Sequence, residues 1–181
     1  KQGYFDFVKK IKRKYKTDTT VFIGDVLDHH SISFHKKHVE SGGPVQEFKE
    51  AFESMAKWKR LFPRAMVCIG NHDERVMKLS SDVGIPQMYL RSYSEIYQTP
   101  KWEWEYSFDI DGVFYHHGTG AGGQYPAFNA AKSRAMSTVS GHYHSVSSIN
   151  WLAGPSTRLF GMNVGCGVDV KHIAMDYGSN C

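Results

Sequence analysis

Ala65-Met66-Val67-Cys68-Ile69-Gly70-Asn71-His72-Asp73 is a five-residue apolar run that breaks into a loop bearing one amide, one imidazole and one carboxylate. An unbroken apolar run of this length, bounded by breakers, reads as a strand buried on both faces. The segment before it carries Val45, Phe48, Phe52, Met55 and Leu61 near helical spacing, and Pro63 stops it. The same order occurs upstream. Phe5, Val8, Ile11 and Tyr15 predict a helix over 3–15. Asp18-Thr19 then turns into Thr20-Val21-Phe22-Ile23, which ends at Gly24-Asp25. Helix, strand and polar loop, twice over, predict an α/β fold with parallel strands. In such sheets ligands gather beyond the carboxyl ends of the strands.

The pattern changes after an irregular stretch at 80–100. Trp102-Glu103-Trp104-Glu105-Tyr106-Ser107-Phe108-Asp109-Ile110 alternates apolar and polar residues at period two, and Asp111-Gly112 is a hairpin turn into Val113-Phe114-Tyr115. A helix is expected over 127–136, and strands near 138–140, 147–152 and 160–164. The second half therefore reads as mostly β, with the hairpin joining a second sheet. No internal repeat or linker divides the 181 residues, which are expected to form one domain with a core of its own.

Charge and cysteine usage narrow the classes. The net charge of +4 favours an anionic partner, although much of it comes from Lys9-Lys10-Ile11-Lys12-Arg13-Lys14-Tyr15-Lys16, which reads as the outer face of an amphipathic helix. Cys68, Cys166 and Cys181 show neither metal spacing nor a disulfide framework, so they read as free thiols in a reducing cytoplasm. No apolar stretch approaches the roughly 20 residues that span a membrane.

Four polar clusters follow apolar runs in one order: Gly24-Asp25-Val26-Leu27-Asp28, Gly70-Asn71-His72-Asp73, His117-Gly118 and Gly141-His142-Tyr143-His144. Each alone is a weak signal: Gly24-Asp25 reads as a turn and Gly70-Asn71-His72-Asp73 as a polar loop, while Gly141-His142-Tyr143-His144, whose alternating imidazoles can meet at a sharp turn, is the most suggestive. Together they supply carboxylate, amide oxygen and imidazole from several strand ends. That donor set suits a pair of divalent ions such as Mn, Fe, Zn or Ni.

This order resembles the calcineurin-like metallophosphoesterases, whose pattern is Asp-x-His, Gly-Asp-x-x-Asp, Gly-Asn-His-Asp/Glu, a His commonly followed by Gly, and Gly-His-x-His. The last four are matched across residues 24–144. The stretches His29-His30-Ser31-Ile32-Ser33-Phe34 and Gly161-Met162-Asn163-Val164-Gly165-Cys166 look like a compact phage or bacterial branch, which implies the cytoplasm, or the host's if phage-encoded. The resemblance implies a two-sheet β-sandwich flanked by helices, two divalent metal ions with Mn foremost, and hydrolysis of phosphoesters by a hydroxide held between them. It implies that Asp25 bridges the metals and that Asn71, His117 and His142 complete the ligand set of the second metal. His144 would bind the first metal. His72 would face the substrate, Asp73 would orient His72, and Asp28 would stand behind the ligands. His116 competes with His117 for its place as ligand; adjacent strand residues point to opposite faces, so one of the two reaches the metals, and the family pattern favours His117, which precedes Gly118.

The Asp-x-His motif is missing. Asp28-His29-His30 matches the string but follows the second motif. The first helix starts almost at Lys1, so a strand carrying the motif would lie immediately upstream, and the reading favours a fragment lacking its first strand; the end at Asn180-Cys181 is compatible with a second truncation. Read as an intact variant, the chain gives the first metal only Asp25 and His144 and leaves a slot in the sheet unfilled.

Other signals are blander. Gly118-Thr119-Gly120-Ala121-Gly122-Gly123 is no dinucleotide site, since Pro126 interrupts and no acid follows at the required distance. His35-Lys36-Lys37-His38 reads as solvated surface, and the Trp102, Trp104, Tyr106, Phe108 face as core rather than a base-stacking platform. The substrate is expected to be a phosphomonoester, a phosphodiester or nucleic acid, with the basic charge and the resemblance tilting toward the last two. The alternative is an inactive nucleic-acid-binding or scaffold protein on the same fold.

Overall fold

A computed structural model describes residues 2–33 and 43–167. The His35–His38 pair and Cys181 lie outside the described residues. Helix α1 spans Gln2–Tyr15, and a two-residue strand β1, Val21–Phe22, follows it. A 3-10 turn at His30–Ile32 precedes α2, Pro44–Leu61, which opens with proline in its first turn, where the missing N–H is not needed. Strand β2 is Ala65–Cys68. Helix α3, Arg75–Asp82, lies largely before the irregular stretch, where the sequence predicts no helix; the stretch 80–100 holds the short helix expected there, α4, Tyr93–Ile96, closed by a capping box between Ser92 and Glu95. Then come β3, Trp102–Glu105, β4, Ser107–Ile110, and β5, Val113–His116. Helix α5, Pro126–Arg134, leads to β6, Ser137–Ser140, β7, Ser147–Ala153, and β8, Arg158–Val164.

Two sheets result. The first has the order β1-β2-β3, all parallel. The second has the order β4-β5-β6-β8-β7, with parallel pairs at its centre and antiparallel pairs at both edges. The stretch 102–110, expected to be one strand of the hairpin, is two. Its first four residues pair in parallel with β2, and its last four pair with β5 across the Asp111-Gly112 turn. Both turn residues have positive φ, as a two-residue hairpin turn requires. Only Tyr106 separates the two strands, so one extended run serves both sheets.

The aromatic alternation is core where it meets the first sheet. Trp102 is buried and stacks on Phe22 at 4.9 Å, while its indole N–H donates to the Phe62 carbonyl at 2.8 Å. Trp104 stacks on Tyr97 at 5.1 Å. Met55 of α2 and Val67 of β2 close the same cluster. The apolar face of α1 joins it through Phe5, whose ring meets Trp58 edge-on at 5.0 Å. Lys10, Arg13, Lys14 and Lys16 stay exposed.

On the second sheet, α5 lies against β8. A side chain at Gly161 would strike the backbone of Ala127 and Phe128, so the helix can approach this closely only over a glycine. Asn163, 2% exposed, accepts from the Ala127 N–H at 3.1 Å and donates to Ser140 Oγ at 3.2 Å. It thereby caps a helix whose own N-cap residue, Tyr125, makes no side-chain cap.

Candidate functional site

Four strand ends point their loops at one place. Asp25 follows β1, Asn71 follows β2, His117 follows β5 and His142 follows β6. Glycines allow the approach. Gly24 has φ +92°, and a Cβ there would lie 2.5 Å from His117 Nδ1. A Cβ on Gly70 would lie 2.5 Å from the Asp25 amide nitrogen. Asp25 and His142 themselves have positive φ, at 52° and 66°. Non-glycine residues avoid that region unless the surroundings hold them there.

His117 is the centre of the cluster. Its Nδ1 lies 2.7 Å from the Ile23 carbonyl, to which it can only donate, so Nε2 carries a lone pair. That lone pair faces Asn71 Oδ1 at 2.9 Å, Asp25 Oδ2 at 3.1 Å and His142 Nδ1 at 3.2 Å. Ligand atoms of Asp25, His117 and His142 all fall within 4.8 Å of one another. Acceptors crowded together this way need a cation or a proton between them. A divalent ion with oxygen and imidazole ligands fits that demand, and the Nδ1–H to carbonyl bond is the usual support of a metal-binding imidazole. Burial pushes the Asp25 carboxyl up, but the hydrogen bond and charge of His117, with His72 behind them, hold it below the usual range. Burial likewise works to lower His117, but the hydrogen bond and charge of Asp25 outweigh it and raise the group. Burial and the neighbouring His117 lower His142.

His144 lines the same cavity as Asp25, His117 and His142, and does not join their cluster. The cavity holds about 560 Å³ and runs between α1 and α2, past Tyr4, Trp58 and residues 20–24. Among the described residues no strand pairs with the second edge of β1, which lines this cavity. His116 is on β5 with its ring beside Phe114 at 5.2 Å, away from the cluster. Of the adjacent pair, His117 is the one brought to the site.

The expected partner of His72 changes. Asp73 does not touch the His72 ring. Fully buried, its Oδ2 accepts from the amides of Asp25 at 2.8 Å and Gly70 at 2.9 Å. Its Oδ1 accepts from Val26 at 3.0 Å and Leu27 at 3.3 Å. The carboxylate thus staples the first metal-type loop to the second. Burial pushes it up to about 6 against the pull of the Gly70 amide. Asp28 takes the orienting place instead, with Oδ1 at 2.5 Å from His72 Nδ1. The opposite ring nitrogen, Nε2, is 3.9 Å from Asp25 Oδ2, and the His72 amide donates to Asp25 Oδ1 at 2.9 Å.

Two residues beside this pair carry no motif signal. Arg75, in the first turn of α3, donates through Nη1 to the carbonyls of Asp28 at 2.7 Å and His29 at 3.2 Å. Glu47 of α2 accepts from the His30 and Ser31 amides at 2.7 and 3.0 Å, fixing the next turn. The signal for Arg75 was its place: a first-turn helix side chain leans back over the preceding loop. Nothing comparable marks Glu47, which reaches the loop from a distant helix. The glycine-rich loop after His117 is tied to the site by the Tyr143 hydroxyl, which donates to the Ala121 carbonyl.

A family model described as calcineurin-like phosphoesterase matches residues 2–160. No curated protein matches the chain.

Proposed function

The chain belongs to the calcineurin-like phosphoesterase family, and from that premise we propose that it hydrolyses phosphodiesters, nucleic acid among them, at a centre of two divalent ions, Mn foremost. The observation that carries the reading is the meeting of Asn71 Oδ1, Asp25 Oδ2 and His142 Nδ1 within 3.2 Å of His117 Nε2. Asp25, Asn71, His117 and His142 would hold one ion; Asp25 and His144 would contribute to the other. When bound, the ions supply an activated water and neutralise charge on the phosphoryl oxygens.

The chain's own groups do the rest. Asp28 Oδ1, 2.5 Å from His72 Nδ1, orients the ring so that Nε2 faces Asp25, where His72 can stabilise the phosphoryl oxygens or protonate the leaving oxygen. Asp73 holds the Asp25 loop against the Gly70 loop, so the distances survive substrate binding. The exposed cations of α1, which walls the cavity, raise the local concentration of a polyanion.

The test is a rate assay with Mn on a chromogenic phosphodiester and on the matching monoester, beside a thermal melt. The diester is expected to turn over faster. Asp25→Asn and His142→Ala should each lower kcat by about 10²-fold or more, with the circular dichroism unchanged. Saturating Mn should raise Tm of the parent by roughly 5–10 °C, the equivalent of about 2.7 kcal/mol at 100 Kd. His142→Ala should lose most of that shift. Undiminished rates in both variants would sink the assignment.

A further inference from the structure

Arg75 has no part in the family pattern and none in the metal cluster, yet it is one of the most constrained side chains near the site. Its side chain is only 14% exposed. A buried guanidinium is costly unless its N–H groups are spent on good acceptors. Here one nitrogen, Nη1, reaches the Asp28 carbonyl at 2.7 Å and the His29 carbonyl at 3.2 Å, and it lies 3.5 Å from Asp28 Oδ1. The other, Nη2, lies 3.3 Å from His72 Nε2. The residue it grips is under backbone tension: His29 has φ 52° and ψ 38°, left-handed values for a bulky side chain. The far side of that turn is held by the His29 ring against the Tyr97 hydroxyl at 3.2 Å.

We propose that Arg75 is a positioning residue that acts through Asp28 on His72. By clamping both carbonyls of the Asp28–His29 turn, it fixes where the Asp28 carboxylate sits, and with it the direction in which the His72 ring faces the phosphoryl group. Lysine cannot do the same, because one ammonium on a flexible stem does not present the planar fork that spans two carbonyls and a ring. The proposal rests on the hydrolase reading for its kinetic arm only.

The experiment compares Arg75→Met, Arg75→Lys, Asp28→Asn and the Arg75→Met/Asp28→Asn double variant. Arg75→Met is expected to lose about 10²-fold in kcat with KM little changed, since a misdirected reacting group costs about that much. Arg75→Lys should recover only a small part. The double variant should be no slower than Asp28→Asn alone, because both changes remove one function. Independently of turnover, proton NMR of the metal-free protein should show a downfield His72 Nδ1–H signal, identified by its loss in His72→Gln. That signal should exchange faster with water in Arg75→Met, while the affinity for Mn stays as in the parent. A parent without hydrolysis would defeat the hydrolase reading and leave the NMR arm to decide Arg75. A Nδ1–H signal unchanged in Arg75→Met, a rise in KM alone, or strictly additive losses in the double variant would overturn the proposal.

Discussion

At the scale of single residues, the most consequential side chain is one whose partners are all main chain. Asp73 accepts from four amides, three of them, Asp25, Val26 and Leu27, in one loop and the fourth at Gly70. Asn in its place would keep one acceptor oxygen and turn an NH₂ toward N–H donors, leaving buried amides unpaired. Asp73→Asn is therefore expected to cost about 2–4 kcal/mol. Urea unfolding should show a lower midpoint with an unchanged slope, and an unchanged midpoint would refute the staple. The motif string alone placed a carboxylate beside His72 without revealing which way it turned. Side chains adjacent in sequence diverge in a tight turn, so Asp73 points back at amides while Asp28, from another loop, meets the ring. Sequence neighbourhood was a poor guide to contact here; the strand-end positions of Asp25, Asn71, His117 and His142 were a good one.

At the scale of elements, most helices and strands were legible because their signals are local, while α3 carried no signal that marked it. The helical spacing in 45–62, with Pro63 beyond it, marks α2 within a residue at each end, and Asp111-Gly112 marks the hairpin. What was not legible depends on pairing partners. Nothing in the alternation of 102–110 says that its first half answers to β2 and its second half to β5. The cap of α5 is of the same kind, since it arrives from β8 rather than from the helix's own flank. Removing it by Asn163→Ala should leave the Ala127 amide without its acceptor and cost about 1–2 kcal/mol. Chemical denaturation with fluorescence detection would measure it, and a loss below a few tenths of that would show that the cap is dispensable.

At the scale of the whole molecule, the candidate centre takes Asp25 and Asn71 from loops after the first sheet, and His117 and His142 from loops after the second. A single residue, Tyr106, joins those sheets along β3 and β4. This arrangement orders events in time. The β4–β5 pairing closes over a two-residue turn, whereas Val21↔Met66 and Ala65↔Trp102 each wait for a long intervening segment to be gathered in. Loop closure over more residues costs more entropy and is paid before its contacts form, so the hairpin is expected to be an early event and the parallel sheet a late one. In pulse-labelled hydrogen exchange during refolding, the amide of Tyr115, which faces Phe108 across the hairpin, should be protected before that of Val67; the reverse order would exclude this route. The donor cluster, half of it hanging from each sheet, would then be among the last parts of the chain to exist, and a nascent molecule would have no ion-binding corner until its slowest strands had found each other.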